Sequence, residues 1–136
     1  MKRSEARERT FIILFQYDFD EDFLINLDDY LAREHLTGAT ANYAKNTIKG
    51  IVENIDFIDG IISKYLVNWQ IDRLNKTDVA VLRLAVYEIF LNDEIPDKVA
   101  INEAIEIAKK YNDAKAGVFV NGLLDRAYKN EKLKKD

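Results

Sequence analysis

The chain has no cysteine, one proline, one histidine and two serines among its 136 residues. Without cysteine there is no disulfide, no thiolate nucleophile and no Cys-based zinc or iron–sulfur site. The same absence fits a reducing compartment. His35 lies beside Glu34 in an acidic stretch, with no second histidine at ligand spacing, and reads as a solvated side chain. Ser4 and Ser63 have no nucleophile-elbow context, and the five glycines are scattered and form no phosphate loop. The acidic run Asp18, Asp20, Glu21, Asp22 suggests calcium only superficially. It lacks the glycine at position 6 of such a loop and has Asp29 where the closing glutamate belongs. No apolar run reaches the roughly 18–20 residues needed to span a bilayer. The N-terminus is charged, the apolar stretch Phe11–Phe15 is too short for a signal peptide, and acids follow at once. The expectation is a cytoplasmic protein that uses no metal or cofactor and binds rather than catalyses.

What is present is helical. Apolar residues make up 48% and charged residues 32%, enough for one globular domain over 1–136. Five sets of apolar residues follow the i, i+3, i+4, i+7 spacing that places a stripe on one helical face. They are Ala6, Thr10, Ile13, Leu14, Tyr17; then Ala44, Ile48, Ile51, Val52, Ile55; then Ile58, Ile61, Ile62, Tyr65, Trp69. Ile101, Ala104, Ile105, Ala108, Tyr111 and Phe119, Leu123, Leu124, Ala127 complete them. A weaker helix is expected through Phe23–Glu34. Val79–Leu91 is apolar on nearly every side, the signature of a central buried helix, and Arg83 within it requires an acidic partner on another element. Thr40 is the expected N-cap of the third helix, Asn75–Asp78 breaks the chain before Val79, and Pro96 marks the loop Asn92–Asp97. Gly122 is expected to permit close helix–helix contact. The fold class is all-α, a compact bundle of about seven helices.

Net charge is −4 and the pI about 5.1, which argues against a general nucleic-acid binder. The distribution is uneven. Residues 2–9 carry four basic and two acidic side chains, residues 126–136 carry five and two, and residues 18–34 carry seven acids against Arg33. Arg3 and Arg7, four apart, project from one helical face and suit phosphate oxygens, while Glu5 and Arg9 form an i, i+4 pair.

Three stretches carry a resemblance. Ala80–Glu88, the motif Ile95-Pro96-Asp97-Lys98-Val99-Ala100-Ile101-Asn102-Glu103-Ala104-Ile105-Glu106-Ile107-Ala108-Lys109, and Phe119-Val120-Asn121-Gly122-Leu123-Leu124-Asp125 stand in the order found in the NusB family. Ala6-Arg7-Glu8 and Leu14-Phe15 fit its first helix less tightly. The resemblance covers essentially the whole chain. It implies two small helical subdomains and binding to single-stranded boxA-like RNA of ribosomal RNA transcripts. It also implies a complex with NusE, the small-subunit ribosomal protein, and action on RNA polymerase against premature termination. A similar domain precedes a catalytic domain in some rRNA methyltransferases; with the chain ending soon after its last helix, the stand-alone factor is expected.

Carried over by position, the resemblance implies RNA contacts at Arg3, Arg7, Tyr65, Lys115 and Phe119, and NusE contacts at Phe15 and Asp78. The chain departs from the family pattern at several of these. Ser4 and Glu5 interrupt the basic run, Phe15 replaces a tyrosine, and Asp78 is shorter than the usual glutamate. Ala116 replaces a serine that would cap the last helix, and Lys115 is basic where an acid can occur. From the residues alone, Tyr65 and Phe119 fit the core equally well, and Asp78 fits a helix-dipole charge. The alternative reading is a helical protein-interaction module without an RNA role, favoured by the low pI. A small enzyme is disfavoured by the missing nucleophile, metal and phosphate-loop features.

Overall fold

The computed structural model describes residues 1–133, and these form seven α-helices and no strand. They fall into two compact units, Met1–Glu53 and Asn54–Asp136. Among the described residues no helix is long and apolar enough to cross a membrane.

In the first unit, α1 (Arg3–Phe15) packs on α3 (Gly38–Glu53), and α2 (Leu27–Arg33) also lies against α3. The stripe Ala6, Thr10, Ile13, Leu14 is buried together with Phe11, facing a core that includes Tyr43, Ala44, Ile48 and Ile51. Only part of the expected Phe23–Glu34 helix forms, because residues 21–26 make turns and α2 begins at Leu27. Aromatic edges hold those turns: the Tyr17 ring meets Phe23 at 5.5 Å, and Phe23 meets Tyr30 at 5.6 Å. Helix α2 ends in a Schellman motif, with Leu36 N–H bonded to the Leu31 carbonyl at 3.1 Å and His35 N–H to that of Ala32 at 3.0 Å. The motif puts His35 in the left-handed region at φ 58°, a cost for any residue with a Cβ. Thr40 is not the N-cap expected for α3. Thr37 is, since its carbonyl accepts from Ala41 N–H, and the Thr40 hydroxyl reaches back from the third helical position to the Thr37 backbone.

In the second unit, α5 (Lys76–Phe90) touches α4 (Ile55–Tyr65), α6 (Asp97–Tyr111) and α7 (Ala114–Ala127), the central place its all-round apolar surface required. Eleven of its fifteen residues are buried, and fully buried side chains such as Leu82 and Ile89 each contribute ~1.5–3 kcal/mol. Arg83 has the partner it needs in Asp59 of α4, through Nε–Oδ1 and Nη2–Oδ2 contacts of 2.9 Å each. Asn75 caps α5, accepting from Thr77 N–H at 2.8 Å.

Two expectations for this unit are corrected. The buried face of α6 is Ala100, Ala104, Ile107 and Ala108, rotated from the expected stripe so that Tyr111 is exposed. The close helix contact belongs to Gly117, not Gly122. A Cβ at Gly117 would lie 2.6 Å from Lys109 Cγ of α6, whereas one at Gly122 would meet only Arg126 of its own helix. Helix α7 is also capped despite Ala116, because the Asp113 carboxylate accepts the Ala116 N–H at 2.8 Å. Beyond Ala127 the helix widens into a π-helical turn over Tyr128–Lys132. There Lys132 Nζ donates to the Ile89 carbonyl and to Asp97 Oδ1, each at 2.8 Å.

Candidate nucleic-acid and partner interfaces

On the N-terminal unit, the expected pair of exposed guanidinium groups is reduced to one. Arg3 is exposed, its Cζ 4.5 Å from the centre of the Tyr43 ring, a cation–π contact that orients the side chain across α3. Arg7, one turn on, is only 3% exposed and belongs to the packed side of α1. Four-residue spacing places two side chains on one face without saying which face the rest of the chain covers. Arg9 is tied inward, to Glu5 at 3.1 Å as expected and to the Glu34 carbonyl at 3.2 Å.

Phe15 is half-buried at the end of α1, and its ring lies 5.2 Å from that of Phe19, which is 61% exposed on the following 3-10 turn. Phe19 was absent from the expected set, although its i, i+4 relation to Phe15 was a usable signal. The acidic run nearby serves the chain itself. Asp20 accepts from Tyr30 Oη at 2.6 Å, Asn26 Nδ2 at 3.0 Å and Asp22 N–H at 2.9 Å. The Tyr30 hydrogen bond, more than the others, holds the Asp20 carboxyl below its ordinary range and raises the Tyr30 phenol.

On the C-terminal unit, Lys115 is exposed and Phe119 half-buried, one turn apart on α7 and so on one face. Tyr65 ends α4, half-buried, with its hydroxyl donated to Glu131. Lys64 Nζ meets the same carboxylate at 2.8 Å and sits 5.7 Å over the Tyr65 ring, and Arg126 donates to the Tyr65 carbonyl at 2.8 Å. Hydrogen bonding to Glu131 raises both the Tyr65 phenol and the Lys64 ammonium. The described cations of the basic C-terminal stretch are thus engaged locally: Arg126 as above, Lys129 with Asp125 at 3.0 Å, Lys132 with Asp97. Lys134 and Lys135 lie outside the described residues.

Asp78 is not an exposed acid. It is 8% exposed in the first turn of α5, and its Oδ1 accepts from Asn112 Nδ2 at 3.2 Å. Burial raises its carboxyl above the ordinary value, the Asn112 hydrogen bond opposing. Trp69, expected on the buried stripe of α4, is 62% exposed, because that helix ends at Tyr65 and Leu66 continues extended.

Two helical units, strand-free throughout the described residues, define a small all-α protein of the type seen in solved NusB structures. A T. maritima NusB structure superposes with a TM-score of 0.88 at 42% identity, covering 99% of this chain and 96% of that one. A structure of antitermination factors NusB and NusE in complex with dsRNA gives a TM-score of 0.85 at 32% identity, covering 93% and 96%. The transcription antitermination protein NusB of Ruminiclostridium cellulolyticum is 42% identical over 134 residues, 96% of this chain and 91% of that protein. The NusB family model matches residues 4–129. The chain belongs to the NusB family.

Proposed function

We propose that this chain is a transcription antitermination factor acting as one RNA- and protein-binding domain over 1–136 in the cytoplasm, without catalysis. It binds boxA-like RNA of ribosomal RNA transcripts together with NusE and helps RNA polymerase resist termination. The observation that carries this is the family match, which runs through both units from residue 4 to residue 129. A relative of the same fold crystallised with NusE and RNA supports the choice of partners.

Within that reading, Arg3 and Lys115 supply phosphate contacts, since both are exposed. Phe119 and Tyr65 offer ring surface to bases. Arg7, being buried, supports α1 under Arg3 and reaches phosphate only if its surroundings move. Phe15 anchors NusE, and Asp78, being buried, acts on partner binding only through the start of α5 that it shapes. The test is fluorescence anisotropy of labelled boxA-like RNA across a salt series, with and without NusE. Binding is expected to be weak alone and stronger with NusE, with a slope of log K against log salt of roughly −1.5 to −2 for two or three single-strand phosphates. Arg3→Ala should weaken binding and flatten the slope. Failure to bind single- or double-stranded RNA with NusE present, while a one-to-one complex with NusE forms, would leave a protein-interaction module instead.

A further inference from the structure

Trp69 is the only tryptophan of the chain, and it stands 62% exposed in the segment between α4 and α5, near Val67, also 62% exposed. A tryptophan offers the largest apolar surface of any side chain, so leaving it in water forgoes the burial that ordinarily decides its place. The backbone holds it out. Leu66 leaves α4 in extended conformation at ψ 137°, Asn68 takes the left-handed region at φ 68°, and a 3-10 turn over Ile71–Arg73 restarts the chain. Asn is one of the few non-glycine residues that take that region readily, so the sequence itself favours the turn that precedes Trp69.

The charge around it is also against the trend. Residues 64–76 carry Lys64, Arg73 and Lys76 against Asp72 alone, in a chain of net charge −4, and of these cations Lys64 is paired with Glu131 at 2.8 Å. Arg73 is exposed. Tyr65 lies four residues from Trp69, at most about 14 Å of extended chain. Its hydroxyl is committed to Glu131, and Lys64 stands over its ring. Trp69 is therefore the more open aromatic surface of the two.

We propose that Trp69 is a stacking platform for an unpaired base of the bound RNA, with Arg73 meeting a neighbouring phosphate. Flat aromatic surfaces beside basic side chains are what single strands bind, because every base has a π-face and every nucleotide a negative charge. A locally basic segment favours an anionic occupant over a cationic one. The proposal rests on the RNA-binding reading above and adds a contact to it.

A sole tryptophan makes the test direct. The full chain is titrated with unlabelled single-stranded boxA-like RNA while the indole emission is followed, and with labelled RNA in parallel for anisotropy. Emission should be quenched to saturation at the concentration where anisotropy reports binding, and the duplex form should quench it far less. Trp69→Ala should weaken binding roughly 5- to 150-fold, the range for one base stacked on one aromatic group, with an unchanged melting temperature. Trp69→Phe should recover most of the loss. RNA that binds by anisotropy with emission unmoved and Trp69→Ala unimpaired would overturn the platform while leaving the RNA reading intact. Equal quenching by duplex, or a response to NusE and not to RNA, would overturn it too. If the unaltered chain binds no RNA with NusE present, the wider reading fails first and the platform with it.

Discussion

Removing Asp59 tests how the central helix is held. Arg83 is buried within α5, its side chain 9% exposed, and its guanidinium meets the Asp59 carboxylate in two parallel contacts of 2.9 Å. Breaking a buried pair by deleting one partner costs about 3–5 kcal/mol, mostly the penalty for the charge left behind. Asp59 keeps 28% of its side-chain surface, so water reaches the pair from that side and about 2–4 kcal/mol is the better figure for Asp59→Ala. An unfolding entropy of about 2.1 cal/mol/K per residue gives roughly 0.29 kcal/mol/K for the chain, so the midpoint should fall by about 10 °C. Thermal melts by circular dichroism measure it. Replacing both partners, Asp59→Leu with Arg83→Met, should recover most of the loss, because the Arg83 charge is no longer left buried without Asp59. A fall of less than about 2 °C for Asp59→Ala, or a double variant no better than the single one, would refute the reasoning.

Four further outcomes follow from the geometry. Asp78→Lys should lower the melting temperature, since it buries a long cation; if the midpoint stays put, Asp78 is accessible after all. Asp78, with its carboxyl raised by burial, favours the fold below about pH 4 and progressively less as pH rises through its raised value. Asp78→Asn should therefore gain on the unaltered chain with rising pH, in melts taken across that window. Asp20 has the opposite sign, because its carboxyl is lowered: its contribution is present at neutral pH and is lost as pH falls through its depressed value. Asp20→Asn should remove that acid-side dependence. His35→Gly should raise stability by about 0.5–1 kcal/mol by relieving the left-handed Cβ, and urea unfolding that shows a loss would contradict the Schellman reading.

The helices were legible because burial on one face repeats every three to four residues, and α5 because its burial has no face at all. The partner of Arg83 was required by the cost of a lone buried charge, though nothing in the sequence pointed to Asp59 in particular. Other features depend on where a helix stops or what covers it, which periodicity does not encode. The stripe through α4 extrapolates to Trp69, but one extended residue at Leu66 ends the register first. Arg3 and Arg7 have equal spacing and opposite fates, decided by packing around α1. On α6, Ile101 and Ile105 fit the period as well as Ile107 does, and only the neighbouring helices choose between them. Asp113 was readable, since an Asp three residues before Ala116 is a strong cap signal. The two expected interface residues that turned out buried, Arg7 and Asp78, show that a charge is a poor guide to exposure, and for Asp78 the partner, Asn112, lies 34 positions away.

Lys132 has a consequence for how the second unit opens. Its ammonium closes on the Ile89 carbonyl near the end of α5 and on Asp97 at the start of α6, bridging the turn that contains Pro96 from 35 positions further along the chain. Fraying of the π-helical turn beyond α7 breaks both contacts, so it is expected to couple to loosening of the α5–α6 turn. Amide hydrogens of α6's first turn should exchange in step with those of the π-helical turn, and a Lys132→Met chain should let the two go separately.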